Sequence, residues 1–220
     1  MNIILIGAQG SGKGTQAEIL SQVFGVRHIA TGDLFRKALQ EKTKFGLQAQ
    51  VYTDRGELVP DEIVVAMVLH CMEEPESTHG VVLDGFQRTL AQAQALDNEL
   101  QHSGRQIDAT VYLNVSRDEL LSRLAGRYIC RAEQHVYHVK FRPPKVSGVC
   151  DLDGSELYQR SDDIGEAIER RLNIFFHETT QVLDYYRKQQ KLTEVDANPS
   201  VKQVQAALLS QLASYTESVK

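Results

Sequence analysis

Five short apolar runs recur along the chain, separated by longer segments with helical periodicity. The first, residues 2–7, is apolar up to its closing glycine, which is typical of a strand buried on both faces. The other strand candidates lie at residues 26–31, 80–85, 108–115 and 191–197, of which 26–31 and 191–197 also contain charged or polar residues. Because strands alternate with helices, the pattern predicts an α/β fold with a mainly parallel, doubly wound sheet.

The predicted helices carry apolar residues three or four positions apart. Residues 60–74 begin with a proline, which suits a helix entrance, and residues 162–190 read as one long helix that tolerates Gly165 near its start. The remaining helix candidates lie at residues 15–24, 34–39, 117–127 and 200–212. Residues 127–160 break the alternation because they are rich in glycine, proline and short extended runs. They predict a small inserted β-element.

Composition narrows the class of protein. The chain has 220 residues, of which 42% are hydrophobic, enough for a substantial core. A formal net charge of -5 disfavours a broad nucleic-acid surface, and neither a membrane-length apolar stretch nor a basic leader is expected. Three cysteines, an odd number, argue against a disulfide framework and favour a reducing cytoplasm.

The segment GAQGSGKGT, residues 7–15, lies between the first predicted strand and the first predicted helix. Glycines there let backbone N–H groups turn toward an anion, and the helix adds its positive N-terminus. The sequence therefore predicts a phosphate-binding loop, with Lys13 reaching the transferring phosphate. Gly14 follows the lysine and the hydroxyl comes one residue later, at Thr15, a form that resembles nucleoside monophosphate kinases.

Further segments resemble adenylate kinase motifs at matching spacing over essentially the whole chain. They are TGDLFR (31–36), GELVPD (56–61), DGFQRT (84–89), GRYIC (126–130), YHVKFRPPK (137–145), YQRSDD (158–163) and ERRL (169–172). The chain is thus similar to the long, lid-bearing bacterial adenylate kinases. The resemblance implies a P-loop NTPase fold of three α/β/α layers with a five-stranded parallel sheet, and the reaction of Mg-ATP with AMP to give two ADP.

The same resemblance implies a division of the chain and a set of site residues. The core comprises residues 1–29, 60–121 and 161–220, the helical AMP-binding insertion residues 30–59, and the small β lid residues 122–160. Lys13, Arg88, Arg123, Arg160 and Arg171 are the expected catalytic residues. ATP binding is expected at Gly10, Ser11, Gly12, Lys13, Gly14, Thr15, Arg123, Arg127 and Tyr137. AMP binding is expected at Thr31, Arg36, Glu57, Val59, Gly85, Arg88, Gln92, Arg160 and Arg171.

Other expectations follow from this assignment. Asp84, at the end of the third strand, would orient water on Mg²⁺, and Asp162 and Asp163 would begin the catalytic helix. Arg123, Arg160 and Arg171 would gather around the transferring phosphate. The partners are ATP, AMP and ADP, with no nucleic acid and no membrane, and a monomer is the family expectation. The alternatives are a kinase for UMP, CMP or GMP, an AMP kinase that uses GTP, and a non-catalytic nucleotide sensor.

The sequence departs from the family at three positions. Gln9 and Gln87 stand where proline is usual, and Arg142 replaces an asparagine in the lid. Replacing proline frees φ and restores a backbone donor. At Gln87 we expect a looser AMP pocket with activity retained.

Two cysteines flank the extended runs of the lid. Zinc-bearing lids of this family use Cys-x2-Cys followed by Cys-x2-Cys or Cys-x2-Asp, and Cys130, Cys150 and Asp153 match three of these positions. The fourth position is Glu133, but His135 is the more usual zinc ligand. The sequence predicts a structural Zn²⁺ completed by His135, with Glu133 as the alternative ligand. A polar network of reduced thiols without an ion is the competing interpretation.

Overall fold

The structure, a computed structural model, describes residues 1–53, 59–159, 163 and 165–216, without the side chains of residues 36, 53, 214 and 216. Its helices are α1 (Lys13–Phe24), α2 (Thr31–Gln40), α3 (Lys44–Thr53), α4 (Asp61–Glu73), α5 (Leu90–His102), α6 (Arg117–Ala125), α7 (Glu166–Lys188) and α8 (Val201–Thr216). A short 3₁₀ helix spans Pro75–Ser77. Among the described helices, none combines the length and apolar composition that a membrane span needs.

The central sheet has five parallel strands in the order β2-β3-β1-β4-β8. Its strands are β1 (Asn2–Ile6), β2 (Arg27–Ala30), β3 (Val81–Asp84), β4 (Ala109–Asn114) and β8 (Leu192–Asp196). The five strand candidates of the sequence are therefore confirmed, as is the parallel, doubly wound arrangement.

Two apolar clusters cover the two faces of this sheet. Ile3 and Leu5 of β1 belong to a cluster formed with α1, α6 and α8, whereas Ile4 and Ile6 belong to a cluster formed with α4 and α5. Helix α7 contributes to both clusters. Because successive side chains of β1 point into opposite clusters, its uninterrupted apolar run is the signature of a three-layer α/β/α fold.

A second, smaller sheet has three antiparallel strands in the order β6-β5-β7. Its strands are β5 (Arg127–Cys130), β6 (Val136–His138) and β7 (Leu157–Tyr158). The inserted β-element predicted from residues 127–160 is confirmed. Its apolar core is very small, since the buried cluster consists of Cys130, Tyr137, Cys150 and Leu157.

The long C-terminal helix begins later than the sequence suggested. Helix α7 starts at Glu166, and Gly165 precedes it with φ 57° and ψ −135°, a conformation outside the helical region. Asp163 lies in a 3₁₀ turn before the helix. The prediction that Gly165 lies inside the helix is therefore wrong. Helices α3 and α5 were not predicted from the sequence.

Candidate functional site

The loop between β1 and α1 has the geometry of an anion-binding loop. Gly10 and Gly12 take φ values of 84° and 91°, which only glycine adopts readily. A Cβ atom at Gly7 would lie 2.5 Å from Ser11 Oγ, so the closed turn also needs glycine there. Helix α1 begins at Lys13 with no side-chain cap and no acidic residue in its first turn. Its backbone N–H groups and positive helix end therefore face the loop.

Lys13 lies at the centre of a group of cationic side chains. Its Nζ donates to the carbonyl oxygens of Gly7 and Ala8, at 2.7 and 2.9 Å. Burial lowers the pKa of Lys13 to about 8; Asp84 opposes this shift, and three arginines reinforce it. Those arginines are Arg88, Arg127 and Arg171. Positive charge is thus concentrated at the start of α1, where an anionic ligand would relieve the repulsion.

Asp84 ends strand β3 beside the phosphate loop. In the parallel register it is opposite Leu5 of β1 and Ala30 of β2, and a Cβ atom at Gly14 would lie 3.3 Å from its Oδ2. The carboxylate lies 3.6 Å from His28 Nε2, a neighbour that sequence reasoning missed. Carboxyl ends of parallel strands meet at one edge of the sheet, which is where α/β folds place their ligands.

A buried carboxylate joins two of the arginines. Asp163, 1% exposed, accepts from Arg127 Nε and Nη2 at 2.8 and 2.6 Å, and from Arg171 Nη1 at 3.0 Å. Arg127, at the first position of the lid strand β5, is thereby tied to the turn before α7. The sequence indicated Asp163 only as part of a helix start, and its bridging contacts depend on a turn that the periodicity did not predict.

Arg123 and Tyr137 make contacts other than those the sequence predicted. Arg123 Nε donates to Glu119 at 2.8 Å and Nη2 donates to the carbonyl of Ala197 at 3.0 Å, on the side of the loop after β8. Arg127, expected to bind ATP, lies with Arg171 in the cationic group around Lys13. Tyr137 is 2% exposed inside the lid, and its hydroxyl accepts from the backbone N–H of Asp151 at 2.7 Å. Its side chain is packed within the lid.

On the other side of β3, a hydrogen-bonded cluster surrounds the start of α5. Gln92 Oε1 accepts from the backbone N–H of Arg88 at 2.8 Å, and Gln92 Nε2 donates to Asp61 Oδ1 at 2.7 Å. Thr89 donates to the second oxygen of Asp61 at 2.9 Å and caps α5 by accepting from Gln92 N. Asp61 ends the GELVPD segment, and the sequence predicted no role for it. In this arrangement the Gln92 amide holds the Arg88 backbone.

Other expected AMP-binding residues lie nearby or outside the described part of the chain. Thr31, at the start of α2, is 5% exposed, and its Oγ1 has no hydrogen-bond partner among the described residues. Gly85 follows Asp84 with φ 71°, and Val59 packs against the core cluster. Arg160, Asp162 and Glu57 lie outside the described residues, as does the side chain of Arg36.

In the lid, four potential metal ligands converge. One ligand atom each from Cys130, His135, Cys150 and Asp153 lies within 4.8 Å of the others. His135 Nδ1 is 3.4 Å from each thiol sulfur and 3.1 Å from Asp153 Oδ2. Two thiols, an imidazole and a carboxylate form a donor set suited to tetrahedral Zn²⁺. Glu133 has an exposed side chain and approaches only through its backbone N–H, 3.4 Å from Cys130 Sγ.

Comparisons with known proteins agree with this geometry. The family model for adenylate kinase matches residues 5–191. Relatives named adenylate kinase include one from Carboxydothermus hydrogenoformans, 48% identical over 96% of this chain and 99% of the relative. Another, from Streptomyces avermitilis, is 46% identical over 93% of both chains, and one from Staphylococcus aureus is 45% identical over 93% of this chain and 95% of the relative.

The chain belongs to the adenylate kinase family. Adenylate kinases use Mg²⁺ with ATP, and they bind ATP, AMP and ADP. The fold class expected from the sequence is confirmed, including the five-stranded parallel sheet of a P-loop protein. Within that fold, Arg88 links the cationic group at Lys13 to the hydrogen-bonded cluster at Asp61. They form the candidate active site of this member of the adenylate kinase family.

Proposed function

We propose that the protein catalyses reversible, Mg²⁺-dependent phosphoryl transfer from ATP to AMP, giving two ADP. The observation that carries this proposal is the convergence of Lys13, Arg88, Arg127 and Arg171 at the start of α1. Phosphoryl transfer requires positioning and charge neutralisation more than covalent chemistry by the protein. A cluster of four cations in one partly buried site supplies both.

ATP binds through the loop from Gly10 to Thr15. The backbone N–H groups of this loop and the N-terminus of α1 receive the phosphates, and Lys13 exchanges its two carbonyl contacts for phosphate oxygens. Asp84, which lies beside Gly14, would hold Mg²⁺ through water. The metal, when bound, neutralises charge on the phosphates. Arg123, near the end of α6, is retained as a catalytic and ATP-binding residue.

The shared carboxylate of Asp163 prepares the arginines for the transferring phosphoryl group. It fixes Arg127 and Arg171 relative to each other, so little reorganisation is needed as negative charge develops. Arg88, together with Arg160, completes the catalytic set. Preorganised positive groups of this kind commonly contribute about 10²- to 10³-fold each to the rate.

AMP binds on the side of β3 that faces α2 and α5. The buried hydroxyl of Thr31 has an unfilled hydrogen-bonding capacity among the described residues, which suits a polar ligand. Arg88 grips the AMP phosphate, and Gln92 contacts the base once its present contacts to Asp61 and Arg88 are exchanged. The remaining members of the AMP-binding set are Arg36, Glu57, Val59, Gly85, Arg160 and Arg171.

The two insertions close over the nucleotides. We assign residues 1–29, 60–121 and 161–220 to the core, 30–59 to the AMP-binding segment and 122–160 to the lid. A cleft of about 380 Å³ lies between helix α2 and the lid residues Ala132, Glu133 and Gln134, so the two insertions already face each other. Closure would exclude the water that competes with AMP as phosphoryl acceptor.

The lid binds one structural Zn²⁺ through Cys130, His135, Cys150 and Asp153. The support is the convergence of these four side chains and the small size of the apolar core beneath them. A metal would hold together a β-element that buries too little apolar surface to be stable alone. With four protein ligands no position is left for substrate, so the ion takes no part in the reaction. Monomeric state and cytoplasmic location stay predictions.

The proposed function is tested by measuring nucleoside diphosphate formation from each donor and acceptor pair. ATP and GTP are offered as donors, and AMP, GMP, CMP and UMP as acceptors. We expect ATP with AMP to be the preferred pair. Lys13→Met should lower kcat by at least about 10²-fold, whereas the exposed helix residue variant Lys202→Met should retain full activity. Preference for another acceptor, or no transfer at all, would contradict the proposal.

A further inference from the structure

Gln87 lies next to Arg88 and has an unusual conformation for a residue with a side chain. Its φ is 68°, in the left-handed region, and it is only 2% exposed. Such a conformation persists in a buried residue only when the surroundings hold it. Proline, the usual residue of the family here, has φ fixed near −65° and could not take this backbone conformation.

A hydrogen-bond chain holds the side chain of Gln87. Gln87 Nε2 donates to the Tyr186 hydroxyl at 2.7 Å, and that hydroxyl donates to Asp97 Oδ1 at 3.2 Å. Tyr186 is fully buried on α7, and burial followed by the charge of Asp97 raises its pKa, so the hydroxyl keeps its proton. An ionised carboxylate can only accept, so Tyr186 must donate to Asp97 and accept from Gln87. The amide nitrogen therefore faces the tyrosine.

The backbone of the next residue, Arg88, is also anchored. The backbone N–H of Arg88 donates to Gln92 Oε1 at 2.8 Å, and Gln92 is held in turn by Asp61. The two consecutive residues 87 and 88 are thus tied to α7 through one side chain and to α5 through one backbone group. Loss of either tie would let the backbone of Arg88 shift relative to the sheet edge.

We propose that Gln87 is a positioning residue for the AMP phosphate, acting through its hydrogen bond to Tyr186 to fix the backbone that presents Arg88. The inference rests on the proposed function, in which Arg88 grips that phosphate. It also revises the expectation that glutamine in place of proline loosens the AMP pocket. The buried amide replaces the rigidity of a proline ring with a hydrogen bond to a buried helix.

The test compares Gln87→Met, Tyr186→Phe and the double variant. Both substitutions roughly preserve size and remove the Gln87–Tyr186 hydrogen bond. Tyr186→Phe also removes the donation to Asp97, which the Tyr185→Phe control addresses. We expect the Kd of AMP, measured calorimetrically, and the KM for AMP to rise about fivefold to tenfold in each single variant. The double variant should show no further rise, because both changes remove one interaction. The KM for ATP should stay within about twofold of the wild type, a pattern that general destabilisation would not produce.

Tyr185→Phe is the matched control. Tyr185 donates to the other oxygen of Asp97 at 2.9 Å and makes no described contact with Gln87. It should leave AMP binding unchanged. An unchanged Kd for AMP in Gln87→Met, an equal rise for ATP, or the same effect in Tyr185→Phe would overturn the proposal.

These measurements distinguish failure of the positioning role of Gln87 from failure of the proposed function. If the wild type forms ADP from ATP and AMP while the Gln87 and Tyr186 variants bind AMP normally, only the positioning role is wrong. If the wild type neither binds AMP nor forms ADP, the proposed function and the positioning role both fail.

Discussion

Arg127 and Asp163 form a bidentate ion pair, with the guanidinium Nε and Nη2 atoms 2.8 and 2.6 Å from the two carboxylate oxygens. The carboxylate is 1% exposed, and it also accepts from Arg171. A buried carboxylate between two arginines is strongly held, because removal of one partner would leave charge uncompensated away from water. The pair links the first residue of the lid sheet to the turn before α7.

Replacing Asp163 with asparagine should impair transfer more than binding. The amide would keep one acceptor oxygen but lose the charge that holds two guanidinium groups together, so the arginines would need to reorganise during the reaction. We expect Asp163→Asn to lower kcat by about tenfold or more, with a smaller change in the KM for ATP. Steady-state kinetics with both substrates varied measures the two effects separately.

Glu169→Gln is the matched control for Asp163. Glu169 pairs with Arg117 on the protein surface, where both side chains are 40% or more exposed. An exposed pair contributes about 0–1 kcal/mol to stability, and it lies outside the cationic group. Glu169→Gln should leave kcat unchanged. An equal loss of kcat in both variants would mean that the bridging position of Asp163 is not the cause.

Nucleotide binding should be coupled to protonation of Lys13. Burial holds its pKa at about 8, below the ordinary 10.5, and the phosphates of ATP would raise it again. At about pH 9 the free protein carries a mostly neutral amine and the complex a charged one, so binding should take up close to one proton. At about pH 7 the amine is mostly charged in both states, and binding should take up only about a tenth of a proton. Calorimetry in buffers of different ionisation enthalpy measures this number.

Lys13→Arg tests the assignment of that proton. An arginine stays charged throughout this range, so uptake at about pH 9 should disappear even if binding weakens. Proton uptake that persists in Lys13→Arg would assign the titration to another group. No uptake in the wild type would indicate that the phosphates do not approach Lys13.

The lid should contain one zinc ion per chain when the protein is purified without chelator. Elemental analysis should give about one equivalent for the wild type and for Glu133→Ala, but a large loss for His135→Ala. His135 belongs to the converging group, whereas the Glu133 side chain is exposed. Comparing the two variants therefore discriminates between the two candidate ligands. Less than about a tenth of an equivalent in the wild type would leave the four side chains as a metal-free polar network.

Gly46 should be sensitive to the addition of a single methyl group. A Cβ atom there would lie 1.9 Å from the carbonyl oxygen of Ala38, so helices α2 and α3 approach each other at this glycine. Gly46→Ala should lower the free energy of unfolding by about 1–3 kcal/mol, measured by urea titration. Leu47→Ala, at a half-exposed position next to it, should change it by less than about 0.5 kcal/mol. Equal stability of Gly46→Ala and the wild type would argue against the close approach.

The sheet was predictable because its inner strands β1, β3 and β4 are largely apolar on both faces and because strands alternate with periodic helices along the chain. Helix α3 was missed because Gly46 and several polar residues leave it without a clear apolar stripe. The start of α7 was placed too early because the periodicity continues through Gly165, whose positive φ the amino-acid sequence alone does not reveal. Local backbone conformation at such a turn depends on tertiary contacts, here those of Asp163.

Among the site residues, the phosphate loop was accessible from the sequence because its function depends on consecutive backbone groups. Contacts between distant side chains were harder to predict. Arg123 lies within α6 and pairs with Glu119, whereas Arg127 lies just after α6 and pairs with Asp163, and their spacing in the sequence does not reveal these partners. Similarly, Gln87 could be recognised as a departure, but its partner Tyr186 is 99 positions away.

The most direct test of the central claim starts from ADP alone. With Mg²⁺ and catalytic amounts of the protein, chromatography of the nucleotides over time should show ADP converted into equal amounts of ATP and AMP, up to an equilibrium mixture. This outcome requires transfer between two nucleotides bound at once and matches the proposed reaction in reverse. Persistence of ADP, or its conversion into AMP and inorganic phosphate without ATP, would contradict the assignment of ATP:AMP phosphotransferase activity.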